Sequence, residues 1–577
     1  MMKTINIILY VGLVLLLAFS VVLAEDNETQ ESTILWIGSH YVDFSDYNKK
    51  IGEYLCGEDE WIPELELTYF SRSDNSIFRL DGHFHDDKDI FADARATKGD
   101  HFRLSGKYRS FIRQLGQDLL TNVEAREFFE STGNPGGKML THELLDPGAD
   151  YDYKRQEILT EVEILLSRKN NIRFTAAHRS VLKNGERQAI ANNHCFSCHL
   201  TSESADVVQR SHQIEAGLDA ELAGSDIGYR FGYRVFESDA PDPVAYYDPA
   251  KHPVHGGAGA EFSSRQVFDD TSVAYSTLPR TEKTSHKVRF KRDLGQGEFA
   301  SSLGYSIAKN TITDLSSEAY VGSANYAVGL SNRTRLVTRG TVTMLKADDP
   351  WIDLPTYRGG AADLNETDFD FTRYSGLDRW DLRFSAEVIS RLSPRVVLYV
   401  LGGYDRVDRD DYPIWDEGTQ TDKFTGQVKL RYRKGLRYSS LVKYRFEKTS
   451  DPFVSARGLF ELPGYDILEP AVPVSPWIFY WQREDLRYQS ITTLPTDKHV
   501  FEWRSTYRPS ERYGLTIGLK GKYDKNNDLD SLDVQHFSLQ PNLNINYTPD
   551  VKWTLAAGYT YSFDKSKLPI TVALFDG

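Results

Sequence analysis

One feature constrains the fold of this chain most: apolar and polar residues alternate over stretches of about ten residues, the length of a membrane-spanning β-strand. The clearest stretch runs from Tyr513 to Tyr523. Comparable stretches recur at 102–108, 227–235, 380–388, 537–547 and 551–563. Successive strand side chains point to opposite faces, so each stretch predicts a strand with one apolar and one polar face.

The spacing of these stretches predicts an all-β chain, a large transmembrane antiparallel β-barrel of roughly 20–26 strands. A tight turn at Arg433-Lys434-Gly435 joins two of the strands. Acidic, Pro- and Gly-rich connections predict long loops on one side of the membrane: Asp239–Phe262, Asp348–Asp370, Asp405–Asp422 and Asp451–Ser475. A soluble β-sandwich or propeller also alternates, but its strands are shorter and lack recurring terminal aromatic residues.

The N-terminus carries an export signal. Lys3 precedes an apolar run from Ile7 to Val22, and Val22-Leu23-Ala24 offers a cleavage site at the small residue Ala24. This pattern predicts a signal peptide over residues 1–24. We therefore expect a periplasmic or plug segment over 25–60 and the barrel over 61–577, in the outer membrane of a Gram-negative bacterium.

Composition agrees with a charged, wet lumen. The chain has 33 Tyr, 30 Phe and 41 Gly and a formal charge of −15. This acidic balance argues against nucleic acid as a partner. No second apolar run approaches the length of about 20 residues that a transmembrane helix needs.

The sequence Cys195-Phe196-Ser197-Cys198-His199 has the spacing of a c-type haem attachment site. Cys195 and Cys198 would form thioethers to the haem vinyl groups, and His199 would be an axial iron ligand. The alternatives are a disulfide and half of a zinc site, but the remaining thiol, Cys56, is distant and alone. We expect one covalent haem c in a loop near 183–204.

The sequence does not assign the sixth iron ligand. His212, thirteen residues after His199, is the first candidate. Others are His178, His194, His252 and His255, and for each the alternative is a solvated histidine. Two histidine ligands would give a low-potential electron-transfer haem, whereas an open position would permit peroxide chemistry.

A basic stripe lies on the polar parity of two adjacent predicted strands. Its members are Lys429, Arg431, Arg433, Arg437, Lys443 and Arg445. It is either ordinary lumen charge balanced by neighbouring carboxylates or a surface for haem propionates or an acidic cytochrome.

Four segments carry a family resemblance: Trp61–Tyr69, Leu104–Arg109, Glu215–Asp219 and Tyr229–Tyr233. With the export signal and the strand pattern, they resemble the Mtr/Pio-type outer-membrane β-barrels of porin–cytochrome complexes. The resemblance implies a sheath around a periplasmic multihaem c-type cytochrome, with an outer-surface cytochrome as second partner. Barrels of that type generally carry no haem of their own, and many have a CxxC pair near the mature N-terminus, where this chain has only Cys56.

Together these features predict an electron-transfer component rather than an enzyme. Two alternatives remain at this level: a solute porin whose CxxC is a redox sensor or a structural disulfide, and a haem peroxidase-like protein with an open iron site.

Overall fold

A computed structural model describes the parts of the chain that matter for the strand architecture. The described residues are 30–42, 53–54, 60–86, 89–120, 141–192, 199–247, 265–266, 271–352, 357–358, 366–367, 371–374, 378–409, 420–450, 452, 459–461, 494–527, 534–550 and 552–567. Within these ranges, no helix is both long and apolar enough to cross a bilayer.

The strands, in chain order, are β1 Gln30–Val42, β2 Glu60–Arg72, β3 Ser76–Phe84, β4 Ile90–Lys98, β5 Phe102–Gln114, β6 Thr141–Leu144, β7 Asp152–Ser167, β8 Ile172–Asn192, β9 His199–Leu222, β10 Ser225–Ser238, β11 Val244–Tyr247, β12 Arg265–Gln266, β13 Thr271–Ala274, β14 Thr281–Leu294, β15 Gly297–Asn310, β16 Ser316–Ser331, β17 Thr334–Ala347, β18 Trp351–Ile352, β19 Tyr357–Arg358, β20 Glu366–Thr367, β21 Phe371–Tyr374, β22 Arg379–Ser393, β23 Val396–Asp408, β24 Thr421–Lys434, β25 Tyr438–Ser450, β26 Leu459–Glu461, β27 Asp497–Ser510, β28 Tyr513–Asn526, β29 Val534–Asp550, β30 Trp553–Thr560 and β31 Phe563–Lys567.

One large sheet of 23 strands dominates the molecule. All but β6 pair antiparallel with their neighbours along the chain, which leaves 22 antiparallel strands and confirms the predicted fold class. β30 and β31 both pair with β29 and continue one another. In the described part of the chain, the outer edges of β1 and of β30–β31 carry no partner strand.

The connections alternate between the two edges of this sheet. Tight turns lie at one edge, at 73–75, 99–101, 168–171, 223–224, 295–296, 332–333, 394–395, 435–437, 511–512 and 551–552. The long connections, at 115–151, 239–280, 348–378, 409–420 and 451–496, all leave from the other edge. Four of them fall in the regions predicted as loops on one side, whereas 115–151 was not predicted and the predicted loop 405–422 is shortened by the ends of β23 and β24. We call these the short-turn edge and the long-loop edge. Three small sheets, β11–β13, β12–β19–β20 and β18–β21–β26, form within the long connections.

Aromatic residues form two rows on the apolar face. Near the short-turn edge, Tyr438 pairs with Tyr507 and Tyr513 stacks on Tyr547. Towards the long-loop edge, four consecutive strands place rings side by side in register: Phe446, His499, Tyr523 and Phe537.

These rows have the separation of a membrane. From Tyr513 to Tyr523 the strand rises about 34 Å, or about 26 Å along the normal at a tilt of about 40°. The lipid-facing band of an outer-membrane barrel is about 25 Å tall with aromatic girdles at both interfaces. Large apolar side chains between the rows are exposed, among them Ile517, Phe501 and Val442. The chain is an outer-membrane β-barrel, and β22–β29 are described below as its wall.

Two sequence-based boundaries were wrong. The segment 25–60 was expected outside the barrel, but residues 30–42 form β1 and pair along their whole length with β2. The run Ile34-Leu35-Trp36-Ile37 does not alternate, which hid this strand. The haem loop was expected near 183–204, but β8 continues to Asn192 and β9 begins at His199.

Candidate functional site

The hairpin β8–β9 extends beyond both of its neighbours at the long-loop edge. β7 pairs with β8 only as far as Gly185, and β10 pairs with β9 only as far as Gln209. Beyond these points β8 and β9 continue to pair with each other up to Asn192 and Leu200. The extension is seven to ten residues long, which corresponds to about 24–34 Å. The hairpin therefore projects well past the barrel wall.

Two segments of the 115–151 connection support this extension. Gln188 Nε2 donates to the Asp118 carbonyl at 2.7 Å, and Asp118 N donates back to Gln188 Oε1 at 2.7 Å. Ser204 N donates to Asp146 Oδ2 at 2.7 Å, and Tyr151 Oη lies 3.2 Å from Ser204 Oγ.

Side chains on both faces of this extension are buried. Tyr151, 1% exposed, contacts Ser204 on the face that also carries the fully buried Ser202, whereas Ala189, Ala191 and Val207 are buried on the opposite face. The four residues of β6 pair parallel with the first four of β9. Apolar burial combined with satisfied polar groups stabilises the extension, which we call the platform.

The haem motif falls between β8 and β9 in the sequence. Cys195 and Cys198 lie outside the described residues, as do Cys56, His194, His252 and His255. The strands on either side of them are described, and Asn192 at the end of β8 pairs with Leu200 in β9. The backbone of His199 begins β9 beside Thr141.

The prediction for His212 was wrong, because β9 is one continuous strand. His199 and His212 are thirteen strand positions apart, a distance of about 44 Å. Two axial ligands bind the same iron atom, so these two histidines are too far apart to share one. His212 instead stacks on His178, with ring centroids 6.1 Å apart and planes 6° apart. The same argument excludes His178, which lies mid-way along β8.

A basic cavity opens at the base of the hairpin on the polar face of β7–β10. Its volume is about 210 Å³, and its lining includes five cationic side chains: Arg155, Arg179, Lys183, Arg210 and Arg234. Glu157 accepts from Arg155 at 3.1 Å and from Arg179 at 2.6 Å, and Arg210 contacts Asp239. Cations from four strands converge here, so the cavity suits an anionic group.

Two of the six residues of the basic stripe pair with carboxylates, and a third contacts an aromatic ring. Lys443 Nζ lies 3.3 Å from Glu502, and Arg445 pairs with Glu447. Lys429 Nζ lies 3.8 Å above the Tyr399 ring, a cation–π contact. These partners favour ordinary lumen charge for the stripe.

A second group of polar residues lies on β1–β4 at the long-loop edge. His83 and His85 are two residues apart at the end of β3, and Asp89 follows in the short connection to β4. One ligand atom from each lies within 4.8 Å of the other two. Sequence reasoning missed this group, although its signal was present as His-x-His at a strand end followed by an aspartate.

No family model matches the chain, and no curated protein matches it. Among solved structures, the fold is similar to the FrpB iron transporter from Neisseria meningitidis, at 9% identity over 92% of this chain and 75% of that one, with a TM-score of 0.42. It is also similar to the ferric citrate transporter FecA, at 10% identity over 94% and 76% of the two chains, with a TM-score of 0.37. BauA, the ferric preacinetobactin receptor from Acinetobacter baumannii, is 7% identical over 91% and 74%, with a TM-score of 0.42. The strand register and the exposed apolar face, rather than these likenesses, define the fold.

Proposed function

We propose that this chain is the barrel of a porin–cytochrome complex for electron transfer across the outer membrane, carrying one covalent haem c. Cys195 and Cys198 hold the haem, and His199 is its proximal ligand. The partners are a periplasmic multihaem c-type cytochrome and an outer-surface cytochrome. The role of sheath is that of the Mtr/Pio-type barrels that the sequence resembles, and the attached haem is a departure from them.

The strands that flank the motif in the sequence carry this proposal. Long connections of outer-membrane barrels lie outside the cell and short turns lie in the periplasm. β8 ends at Asn192 and β9 begins with His199, both at the long-loop edge. In this proposal the haem therefore lies outside the hydrocarbon core, where it suits exchange of electrons with an outer partner.

One haem does not span the membrane, whose hydrocarbon core is about 30 Å thick. A sheet of 22 antiparallel strands encloses enough space for a further component, because barrels of 16–18 strands already leave a channel. In this proposal the cytochrome in the lumen supplies the remaining haems. The basic cavity at the hairpin base lies on the polar face and suits its haem propionates or acidic surface.

Replacing His212 with Phe should leave the haem spectrum unchanged, because His212 lies about 44 Å along β9 from His199. A change from a low-spin to a high-spin spectrum in His212→Phe would return the sixth ligand to His212.

A solute porin with a structural or redox-sensing CxxC is the second candidate. The ion pairs of the wall favour this second candidate, because the lumen of an ordinary pore is also lined by paired charges. Such a porin would conduct ions in a planar bilayer without any cytochrome and would carry no haem.

The test is isolation of the chain from native membranes, with haem counting and identification of bound subunits. We expect one haem attached to the chain and a co-purifying multihaem cytochrome. Cys195→Ser with Cys198→Ser should remove the attached haem, and Cys56→Ser is the matched control that should keep it. A chain with no haem after expression with a working maturation system would exclude the haem assignment.

The cavity gives a second arm to this test. Arg179→Gln with Arg234→Gln should reduce the recovery of the cytochrome, whereas Lys429→Gln with Lys443→Gln in the basic stripe should not. Equal recovery from both variants would remove the cavity from the docking surface.

A further inference from the structure

We propose that His83, His85 and Asp89 bind one first-row divalent transition metal ion, such as Zn²⁺, at the long-loop edge of β1–β4. His83 Nε2 lies 3.8 Å from Asp89 Oδ1, and His85 Nδ1 lies 3.4 Å from Asp89 Oδ2. All three ligand atoms fall within 4.8 Å of one another. Ligands around a tetrahedral ion at bond lengths of about 2.0–2.2 Å are slightly closer than this, so small side-chain rotations complete the site.

The backbone holds the three residues in place. His83 and His85 are two positions apart, so both imidazoles lie on the same side of β3. The connection to β4 then returns Asp89 towards His85, because His85 N donates to the Asp89 carbonyl at 3.0 Å and Asp89 N donates to the Asp86 carbonyl at 3.2 Å. The site is therefore assembled before any ion arrives.

Ring stacking restricts the two imidazoles further. The His83 ring stacks on His85, with centroids 4.6 Å apart, and on Phe91 at 5.2 Å. All three candidate ligands are only partly exposed, at 34%, 29% and 31% of their side chains. Partial burial reduces the competition of water for the ion.

Another histidine lies near the group. The His40 ring on β1 lies 6.3 Å from the His85 ring, and His40 Nδ1 lies 2.7 Å from Glu64 Oε1. His83, His85 and Asp89 form the proposed site without it.

The donor set selects the class of metal. Imidazole nitrogens suit Zn²⁺, Cu²⁺, Ni²⁺ and Fe²⁺, whereas Ca²⁺ and Mg²⁺ prefer oxygen ligands throughout. The group lies on the polar face that carries the Arg79–Asp81 and Arg95–Asp93 ion pairs, which in a barrel faces the lumen. An ion from the medium on the long-loop side would reach it through the mouth of the barrel. This site is separate from the haem hairpin and does not depend on the proposed electron transfer.

Co²⁺ is the probe for the test, because its visible absorbance reports imidazole coordination. The full-length, tag-free protein in detergent is titrated with Co²⁺ in the Cys195→Ser, Cys198→Ser background, which removes the motif thiols as competing ligands. We expect one strongly bound ion per chain. His83→Gln and His85→Gln should each weaken binding by more than about 100-fold, since loss of a mere supporting group costs about 10–100-fold.

His101→Gln is the matched control. His101 also pairs with an aspartate, at 2.9 Å from Asp100, but at the short-turn edge and with its side chain 55% exposed. Its replacement should leave Co²⁺ affinity unchanged. Heat-dependent mobility in SDS gels reports whether each variant has folded.

If the histidine variants do not fold, the Asp89→Asn variant in the connection tests the site instead. We expect this variant to weaken Co²⁺ binding by at least about tenfold. Co²⁺ affinity equal to that of the parent in folded His83→Gln, His85→Gln or Asp89→Asn would overturn the proposal. The haem content of the wild-type chain is measured separately, so failure of the metal site and failure of the haem assignment give different results.

Discussion

The wall β22–β29 and the β8–β9 extension are built from the same kind of strand but are stabilised differently. Each interior strand of the wall is hydrogen-bonded on both sides, and its apolar face is exposed for lipid. The extension has left both of its barrel neighbours and is held by side-chain bonds from residues 115–120 and 144–151. The wall is thus stabilised in part by the lipid on its apolar face, whereas the extension is stabilised by contacts with the 115–151 connection.

This difference separates the two roles proposed for the chain. A lipid-facing wall tolerates many apolar side chains at the same position, because fluid lipid adapts to the shape of each side chain. A platform outside the membrane has to fix a redox group relative to a partner, and it needs close packing and satisfied polar groups for this. We expect substitutions to affect the two regions in opposite ways.

The largest expected effect is that of Tyr151→Ala in the platform. Removing a buried aromatic side chain should cost about 3–5 kcal/mol of local stability. Amide hydrogen exchange in 199–208 should rise strongly, while exchange in β10 beside it should stay slow. Unchanged exchange in 199–208 would show that Tyr151 does not support the extension.

The wall should respond to charge instead. Ile517→Arg lies mid-way between the two aromatic rows on the exposed apolar face and should cost about 2–4 kcal/mol, the value for arginine near the bilayer midplane. Denaturant unfolding in liposomes measures it. Thr516→Arg, one residue earlier on the polar face, is the control and should cost less, and equal costs would contradict the assignment of the two faces.

Tyr151→Phe removes only the hydroxyl that faces Ser204 at 3.2 Å. We expect a loss of about 1 kcal/mol, the net value of one hydrogen bond, again seen by hydrogen exchange in 199–208. An effect as large as that of Tyr151→Ala would mean that the polar bond, rather than packing, holds the platform.

The smallest expected effect is that of Glu502→Gln in the wall. Its partner Lys443 is 23% exposed and Glu502 33%, so loss of this ion pair should cost less than about 1 kcal/mol after solvent screening. Denaturant unfolding at low and high salt checks this. A loss of several kcal/mol would show that the lumen is drier than its polar lining indicates.

Sequence alone could predict the wall but not the platform. Alternation from Tyr513 to Tyr523 fixes both the strand and its lipid face, because the period of two is a local property. The platform depends on contacts such as that between Gln188 and Asp118, seventy residues apart, which no local pattern encodes.

The candidate sites follow the same rule. The spacing of Cys195, Cys198 and His199 could be recognised, but the choice of His212 failed because its distance in space depends on β9 being unbroken. The group at His83 had a local signal in the sequence, His-x-His followed by an aspartate, but the convergence of the three ligand atoms shows only in the structure.

Electron transfer through the assembled complex tests the central claim most directly. The native complex is placed in liposomes with a reduced dye sealed inside and an acceptor that does not cross membranes outside. We predict that wild-type chain oxidises the internal dye and that Cys195→Ser with Cys198→Ser lowers the rate to that of empty liposomes. Equal rates with and without the two cysteines would contradict a role for this haem in the electron path.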